Sequence, residues 1–192
     1  MIKSLLLFTT TLFLAATTVG VSVDTEASQV TWKAYKVTGS HEGTIAVQDG
    51  NFEFTDGVLT GGGFTIDMAT IKATDISGGM AAKLEGHLKS ADFFGIEANP
   101  TATFKITKVV SRGMEGDYRI TGDITIKETT ESIKFNAKVT EADGVYTATA
   151  DLKLDRTDFD VRYGSGSFMD NLGDKTIYDE FELGIKLVTS AK

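Results

Sequence analysis

The fold is indicated most clearly by residues 118–126, Tyr118-Arg119-Ile120-Thr121-Gly122-Asp123-Ile124-Thr125-Ile126. Apolar residues or glycine occupy every second position, and polar residues occupy the positions between them. A period of two is typical of a strand with one face in the core and the other in water, as in antiparallel sheets. The run 133–139 repeats the pattern and predicts a second such strand.

The same alternation recurs along most of the chain, at 30–35, 52–54, 64–68, 104–106, 146–154 and 181–187. It predicts eight or nine strands, with turn signals at Asp49-Gly50, Asp56-Gly57 and Asp143-Gly144. An all-β sandwich or a barrel satisfies this pattern. The strands from Tyr118 onward are long, and long unpaired edges promote aggregation. We therefore expect a closed antiparallel barrel.

Two short stretches break the alternation. Residues 79–89 place Met80, Leu84 and Leu88 at four-residue spacing, which predicts a short helix with one apolar stripe. The glycine triplet 61–63 lacks the lysine and hydroxyl residue of a phosphate loop, so it predicts a bulge or bend before Phe64.

The amino terminus has the layout of a secretory signal peptide. Lys3 precedes a mostly apolar run from Leu5 to Ala16, and small residues follow up to Gly20. The run is shorter than the roughly 20 apolar residues that span a bilayer, although a retained membrane anchor is the alternative. We predict a signal peptide at 1–20 and one mature domain at 21–192, located in a periplasm or secreted.

Charge and composition exclude several functions. The formal net charge is −8, and it becomes −9 once the leader with its single Lys3 is removed. An acidic domain is a poor partner for nucleic acid or for an anionic membrane surface. The chain has no cysteine, which excludes disulfides, thiolate metal sites and cysteine nucleophiles. After signal cleavage we expect no membrane span.

Catalytic constellations are equally scarce. His41 and His87 are the only histidines, and their separation matches no short metal-ligand spacing. No glycine-flanked nucleophile motif is present. Asp155, Asp158 and Asp160 surround Arg156, which favours an ion-pair network at a corner over a pair of catalytic carboxylates. We therefore predict no catalytic residue, no metal and no cofactor.

Six ordered stretches together resemble the YceI-like family: His41-Glu42-Gly43, Phe64–Met68, His87–Phe94, Asn99–Phe104, Thr121–Lys127 and Leu154–Phe159. The resemblance covers nearly all of the chain from about Val23 to Leu187. It implies a lipocalin-like antiparallel barrel of about eight strands with a helix at one side or mouth. It also implies an elongated apolar cavity for a polyisoprenoid or similar amphiphile, a periplasmic or secreted location and often a homodimer.

Two places depart from the family pattern. Glu128–Ser132 stands where the family usually has glycine, threonine and a lysine–proline pair, and Asp160 stands where it favours glycine. Both changes concern local loop geometry, and they fall near a mouth of the implied barrel.

Alternation and resemblance together suggest ligand-binding residues. The expected apolar lining comprises Trp32, Phe64, Ile66, Phe104, Ile106, Tyr118, Phe135 and Leu154, and the expected mouth comprises His41, Phe94, Arg156 and Tyr163. The leading hypothesis is a protein that stores or transports a long-chain lipid and is not an enzyme. The alternatives are an envelope stress or structural protein with a filled barrel, and a hydrolase or isomerase using Asp155, Asp158 or His41. The inward residues alone fit a packed core and a cavity equally well.

Overall fold

The computed structural model describes residues 16–190. Positions 1–15 of the predicted signal peptide lie outside the described residues. Residues 18–20, the end of that predicted leader, belong to the first strand and pair with residues 53–55 of the second.

Eight antiparallel strands form one closed barrel in which each strand pairs with the next and the last pairs with the first. This confirms the predicted all-β barrel of about eight strands. The strands are β1 Thr18–Lys36, β2 Gly39–Thr55, β3 Val58–Ala73, β4 Thr101–Ser111, β5 Asp117–Ile126, β6 Thr129–Ala142, β7 Val145–Asp155 and β8 Ile177–Thr189.

The two ends of the barrel differ. At one, here called the turn end, short connections join β2 to β3, β4 to β5 and β6 to β7. At the other, the loop end, lie the longer segments 74–100 and 156–176, which carry helix α1 (Gly78–Lys89) and 3₁₀ turns at Arg156–Phe159 and Gly173–Lys175. Close to the turn end the Phe54 and Tyr146 rings stack inside the barrel, with their centroids 4.0 Å apart.

The predicted turns met different outcomes. Asp56-Gly57 and Asp143-Gly144 form tight hairpins in which both residues have positive φ, so these predictions are confirmed. The turn predicted at Asp49-Gly50 is wrong, because both residues lie inside β2. The strand is irregular there, with a register shift between Val47 and Asp49. A Cβ on Gly50 would lie 2.9 Å from Phe64 Cβ, so the glycine serves close strand packing.

The predicted bulge lies beside the glycine triplet, at Thr60. Glu53 pairs with Gly61 and Phe54 pairs with Leu59, so Thr60 is the extra residue, whereas the triplet itself stays in register with 51–53. Gly62 has a φ of +131°, and a Cβ there would lie 2.3 Å from the carbonyl oxygen of Asn51. Only glycine therefore fits this approach of the two backbones.

Helix α1 confirms the predicted helix and packs against β3. Leu88 is buried and Leu84 packs at the edge of the core, but Met80 is 69% exposed. The predicted three-residue stripe is therefore wrong at Met80, because the contact involves the later turns of the helix. Among residues 16–190, no helix has the length and apolar character needed to cross a membrane.

Candidate functional site

Two apolar cavities lie in series inside the barrel. The loop-end cavity has a volume of about 130 Å³, and the turn-end cavity has a volume of about 40 Å³. Every side chain that lines the loop-end cavity is aliphatic, aromatic or methionine, except those of Thr103 and Arg156. The turn-end cavity owes its space to small residues, which include Gly63, Ala148 and Ala150.

Three phenylalanines separate the two cavities, and we call them the aromatic partition. Phe64, Phe104 and Phe135 line both cavities. The Phe104 ring is central, with its centroid 5.5 Å from each of the other two. A Cβ on Gly122 would lie 2.3 Å from Phe104 Cζ, so glycine on β5 provides the space for this ring.

Trp32 forms part of the wall of the loop-end cavity. Its ring passes over Gly43 of β2, where a Cβ would lie 2.7 Å from Trp32 Cζ2. The indole Nε1 is buried and has no hydrogen-bond partner among the described residues. An unmatched buried donor costs about 1–3 kcal/mol, so this N–H favours any acceptor that reaches it.

The segment 90–100 covers the loop-end cavity. Phe93 is 6% exposed, and its ring lies 5.0 Å from that of Phe94 and 5.4 Å from that of His87. The Arg156 guanidinium lies 5.6 Å from the Phe93 ring centroid. The rings of His87, Phe93 and Phe94 form an aromatic layer over the cavity, which we call the roof, and the Arg156 cation lies against Phe93.

Arg156 is 3% exposed and is held by the protein itself. Its Nη1 donates to Val161 O at 2.6 Å, its Nε to Tyr178 O at 3.1 Å, and its Nη2 to Ile177 O at 3.0 Å. Nη2 also donates to Asp179 Oδ1 at 3.1 Å. Burial lowers the pKa of Arg156, and the nearby charge of Asp179 acts in the opposite direction. The arginine thus ties the 156–161 turn to the start of β8.

Two of the three acids predicted around Arg156, Asp155 and Asp160, make their side-chain bonds elsewhere. Asp155 accepts from the backbone N–H and the hydroxyl of Thr157, and so caps the 3₁₀ turn. Asp160 has a φ of +58°, the left-handed conformation that glycine favours, and pairs with Arg162 at 3.0 Å. The corner interpretation fits this geometry, but the buried ion pair is made with Asp179.

The other departure from the family pattern leaves a short turn. Ile126 pairs with Thr129, so the β5–β6 hairpin has only two connecting residues. Lys127 adopts a φ of +55° there, and its Nζ donates to Asp160 O at 3.1 Å. Lys127, which directly precedes the first departure, thus contacts Asp160, the second, at the loop end.

Most of the predicted ligand-binding residues line a cavity. The loop-end cavity is lined by Trp32, Phe64, Ile66, Phe94, Phe104, Phe135 and Arg156. Ile106 lines the turn-end cavity.

Four predicted residues lie elsewhere. Two of them, Tyr118 and Leu154, are buried in the core but line neither cavity. Tyr118 pairs with Ser111 near the turn end. His41 Nδ1 lies 2.8 Å from Asp75 Oδ2 at the rim. Tyr163 is 46% exposed and stacks edge-on against His87.

Sequence reasoning missed further lining residues: Val30, Ala34, Ile45, Met68, Ile71, Leu88, Phe93, Ala102, Thr103, Ile124, Ile126, Ile133, Leu152, Ile177, Tyr178, Phe181, Leu183 and Ile185. Many share the inward alternation and were detectable by it. Phe93 and Leu88 come from the roof and the helix, where no strand period points inward.

The histidines occupy separate environments. His41 pairs with Asp75, whereas His87 packs between Phe93 and Tyr163. Although burial acts to raise it, the pKa of Asp75 is lowered by hydrogen bonds from His41 and from the backbone N–H of Glu42. Across residues 16–190, no group of three histidine or acidic side chains is arranged to hold a metal ion.

An eight-stranded barrel with an apolar interior cavity belongs to the size class whose members either fill their core or enclose one small ligand. The YceI-like domain model matches residues 22–189, and the chain therefore belongs to the YceI-like family.

The chain is also similar in sequence to several UPF0312 proteins over part of its length. A UPF0312 protein of Pseudomonas aeruginosa is 40% identical over 58 residues, which cover 30% of this chain and 29% of that protein. A UPF0312 protein of Ectopseudomonas mendocina is 35% identical over 85 residues, which cover 40% and 44%. The matches thus span less than half the length of these relatives.

Two solved structures have the same fold. BcnA of Burkholderia cenocepacia superposes with a TM-score of 0.70 at 22% identity, covering 88% of this chain and 99% of that one. A polyisoprenoid binding domain of Saccharophagus degradans, implicated in plant cell wall breakdown, superposes with a TM-score of 0.66 at 13% identity, covering 89% and 98%.

Proposed function

We propose that this protein binds a polyisoprenoid or a similar long-chain amphipathic lipid inside the barrel and stores or transports it. The observation that carries the proposal is the loop-end cavity, whose lining is apolar except for Thr103 and Arg156. Its likeness in fold to a polyisoprenoid binding domain supports the choice of ligand class.

Burial of the lipid tail supplies the affinity. Each methylene taken from water contributes about 0.8 kcal/mol, which ordering and association costs partly offset. A cavity of about 130 Å³ is close to the roughly 150 Å³ apolar cavity that holds one benzene. A tail of several isoprene units therefore requires lining side chains to move, and the aromatic partition leads to further space.

The polar group of the ligand is recognised by few contacts. Arg156 gives four of its five N–H donors to three backbone carbonyls and Asp179, which favours a structural role over the anchoring of an anionic head. The indole N–H of Trp32 is the donor that a hydroxyl or carbonyl oxygen of the ligand would satisfy.

The proposal describes a binding protein without a catalytic step. We further propose that it is exported through cleavage of the leader at 1–20, acts in a periplasm or outside the cell, and forms a homodimer. Its acidic charge supports the absence of a nucleic-acid partner.

The second candidate is a filled structural barrel. The stacked Phe54 and Tyr146 rings and the small volume of the turn-end cavity favour it. The two candidates differ in one respect, which is whether the loop-end cavity accepts an apolar molecule.

Cavity filling tests the proposal. All-trans-retinol, an isoprenoid alcohol, accepts excitation energy from tryptophan, and Trp32 is the only tryptophan in the chain. We expect the unmodified protein to bind retinol with energy transfer from Trp32. Ala102→Leu, which fills the loop-end cavity, should weaken binding at least tenfold without unfolding the barrel.

Ala46→Leu is the matched control, since Ala46 is an exposed strand alanine. It should leave the retinol affinity within a factor of about two. Retention of full affinity by Ala102→Leu would contradict binding in this cavity. Failure of the unmodified protein to bind retinol or a linear prenyl alcohol would favour the filled barrel.

A further inference from the structure

The ladder between β6 and β7 is incomplete. These strands pair only where 138–142 face 145–149, next to the turn end. Towards the loop end, residues 129–138 of β6 remain paired with β5, and residues 147–155 of β7 remain paired with β8. Among the described residues, 129–137 and 150–155 form no ladder with each other, and we call this gap the seam.

The seam lies beside the loop-end cavity. Ile133, Phe135 and Leu152 line the cavity, and the same three residues line a groove on the outer surface. One layer of side chains therefore separates the interior from solvent here. Ile133 and Phe135 are only half-buried, which shows that this layer is incomplete.

Charged and polar side chains border the groove from both strands. Lys134 and Asn136 lie on β6, and Asp151 and Lys153 lie on β7. Separation of the two strands at the seam would break no backbone hydrogen bond between them, because none joins them there. A passage through a paired ladder would require such bonds to break. The other gap in pairing, between 58–62 of β3 and 106–111 of β4, lies beside the smaller turn-end cavity.

The barrel is covered at its two ends. The Phe54–Tyr146 stack lies inside the barrel close to the turn end, and Phe93 covers the loop-end cavity under segment 90–100. The free edge of β3 beyond Asp67 packs against α1, and Ala73 N–H donates to Glu85 Oε1 at 3.0 Å. The 3₁₀ turn at Arg156–Phe159 contacts β6, but the groove itself is open to solvent, because Lys134 and Asn136 are exposed.

We propose that the lipid tail passes between solvent and the loop-end cavity through the seam, with Phe135 as the movable side chain. The proposal rests on the proposed lipid binding and adds the route to it. During a lateral passage the tail enters side-on while the polar group of the lipid is still in contact with the groove residues, before it reaches the indole N–H of Trp32. Rotation of Phe135 also loosens the aromatic partition, since its ring contacts that of Phe104.

A cross-link across the seam tests this route. The chain has no cysteine, so a cysteine pair is labelled uniquely. The double variant Lys134→Cys/Lys153→Cys, joined by a short bismaleimide, holds β6 to β7 over the groove. The control Lys153→Cys/Glu182→Cys, joined by the same reagent, holds β7 to β8 at positions that are already paired. Both variants lose the ion pair of Lys153 with Glu180.

The readout is the rate of retinol uptake and release, followed by stopped-flow energy transfer from Trp32. We expect the seam cross-link to slow both rates at least tenfold while the equilibrium Kd changes less than about threefold. The control cross-link should leave both rates unchanged. Equal rates in the two cross-linked proteins would overturn the seam as the route while leaving lipid binding intact. Absence of retinol binding in the unmodified protein would instead contradict the proposed function, and the route with it.

Discussion

Replacement of Phe104 by alanine should change both the stability of the barrel and the length of tail that it prefers. Phe104 is 5% exposed and has a cavity on each side, so its removal joins volumes of about 130 and 40 Å³ through the space of the lost ring. A buried Phe→Ala change costs about 3–5 kcal/mol. We expect about 4 kcal/mol, because the neighbouring cavities leave few atoms that could collapse into the void.

The enlarged interior should favour a longer ligand. One isoprene unit has five carbons, and at about 0.8 kcal/mol per methylene its burial is worth about 4 kcal/mol before costs. If ordering and association offset about half of this, about 2 kcal/mol remains, which is about 30-fold in Kd. The Phe104→Ala variant should therefore shift the affinity ratio of geranylgeraniol to farnesol about 30-fold towards the longer alcohol.

Urea denaturation and retinol competition measure the two effects. Phe54→Ala is the matched control, because Phe54 is 4% exposed but lines neither cavity. It should lose similar stability and keep the affinity ratio of the parent. An equal shift of that ratio in both variants, or in neither, would refute the reasoning that Phe104 divides the interior.

Two further predictions concern the loop end. Arg156→Met should lower the free energy of unfolding by about 3–5 kcal/mol in urea denaturation, because it leaves three carbonyls and Asp179 Oδ1 without the guanidinium donor and Asp179 without its ion-pair partner; unchanged stability would contradict its structural role. Asp75 has a lowered pKa in the folded protein, so its stabilising contribution is present above the ordinary carboxyl pKa of about 3.9 and is lost as the pH falls through the lowered value. Asp75→Asn should remove this acid-dependent component, and identical unfolding profiles from pH 2 to 6 would argue against the bond to His41 as its cause.

The sequence predicts the strands because a sheet that is wet on one face imposes a period of two. It does not predict the fate of Asp49-Gly50, since glycine serves a hairpin and a close strand contact equally. The alternation identifies inward side chains such as Phe64 and Phe104 but not whether they leave space, because that depends on the sum of volumes around the barrel.

Two features of the site leave no local pattern. Phe93 reaches the cavity from a loop, whose geometry depends on tertiary contacts such as that with Arg156. The seam is equally hidden, because Phe135 and Leu152 keep the same alternation whether or not their strands pair. Strand pairing is a property of the closed barrel and not of either strand alone.

Native mass spectrometry of the protein purified from its own host is the decisive test of whether the barrel carries a lipid. The account predicts a chain that carries one apolar molecule, which an organic extract releases as a polyprenyl or other long-chain amphiphile. Ala102→Leu from the same host should carry much less of it, whereas Ala46→Leu should match the parent. A folded protein at its bare chain mass, with no stoichiometric lipid in the extract, would contradict the account and favour the filled barrel.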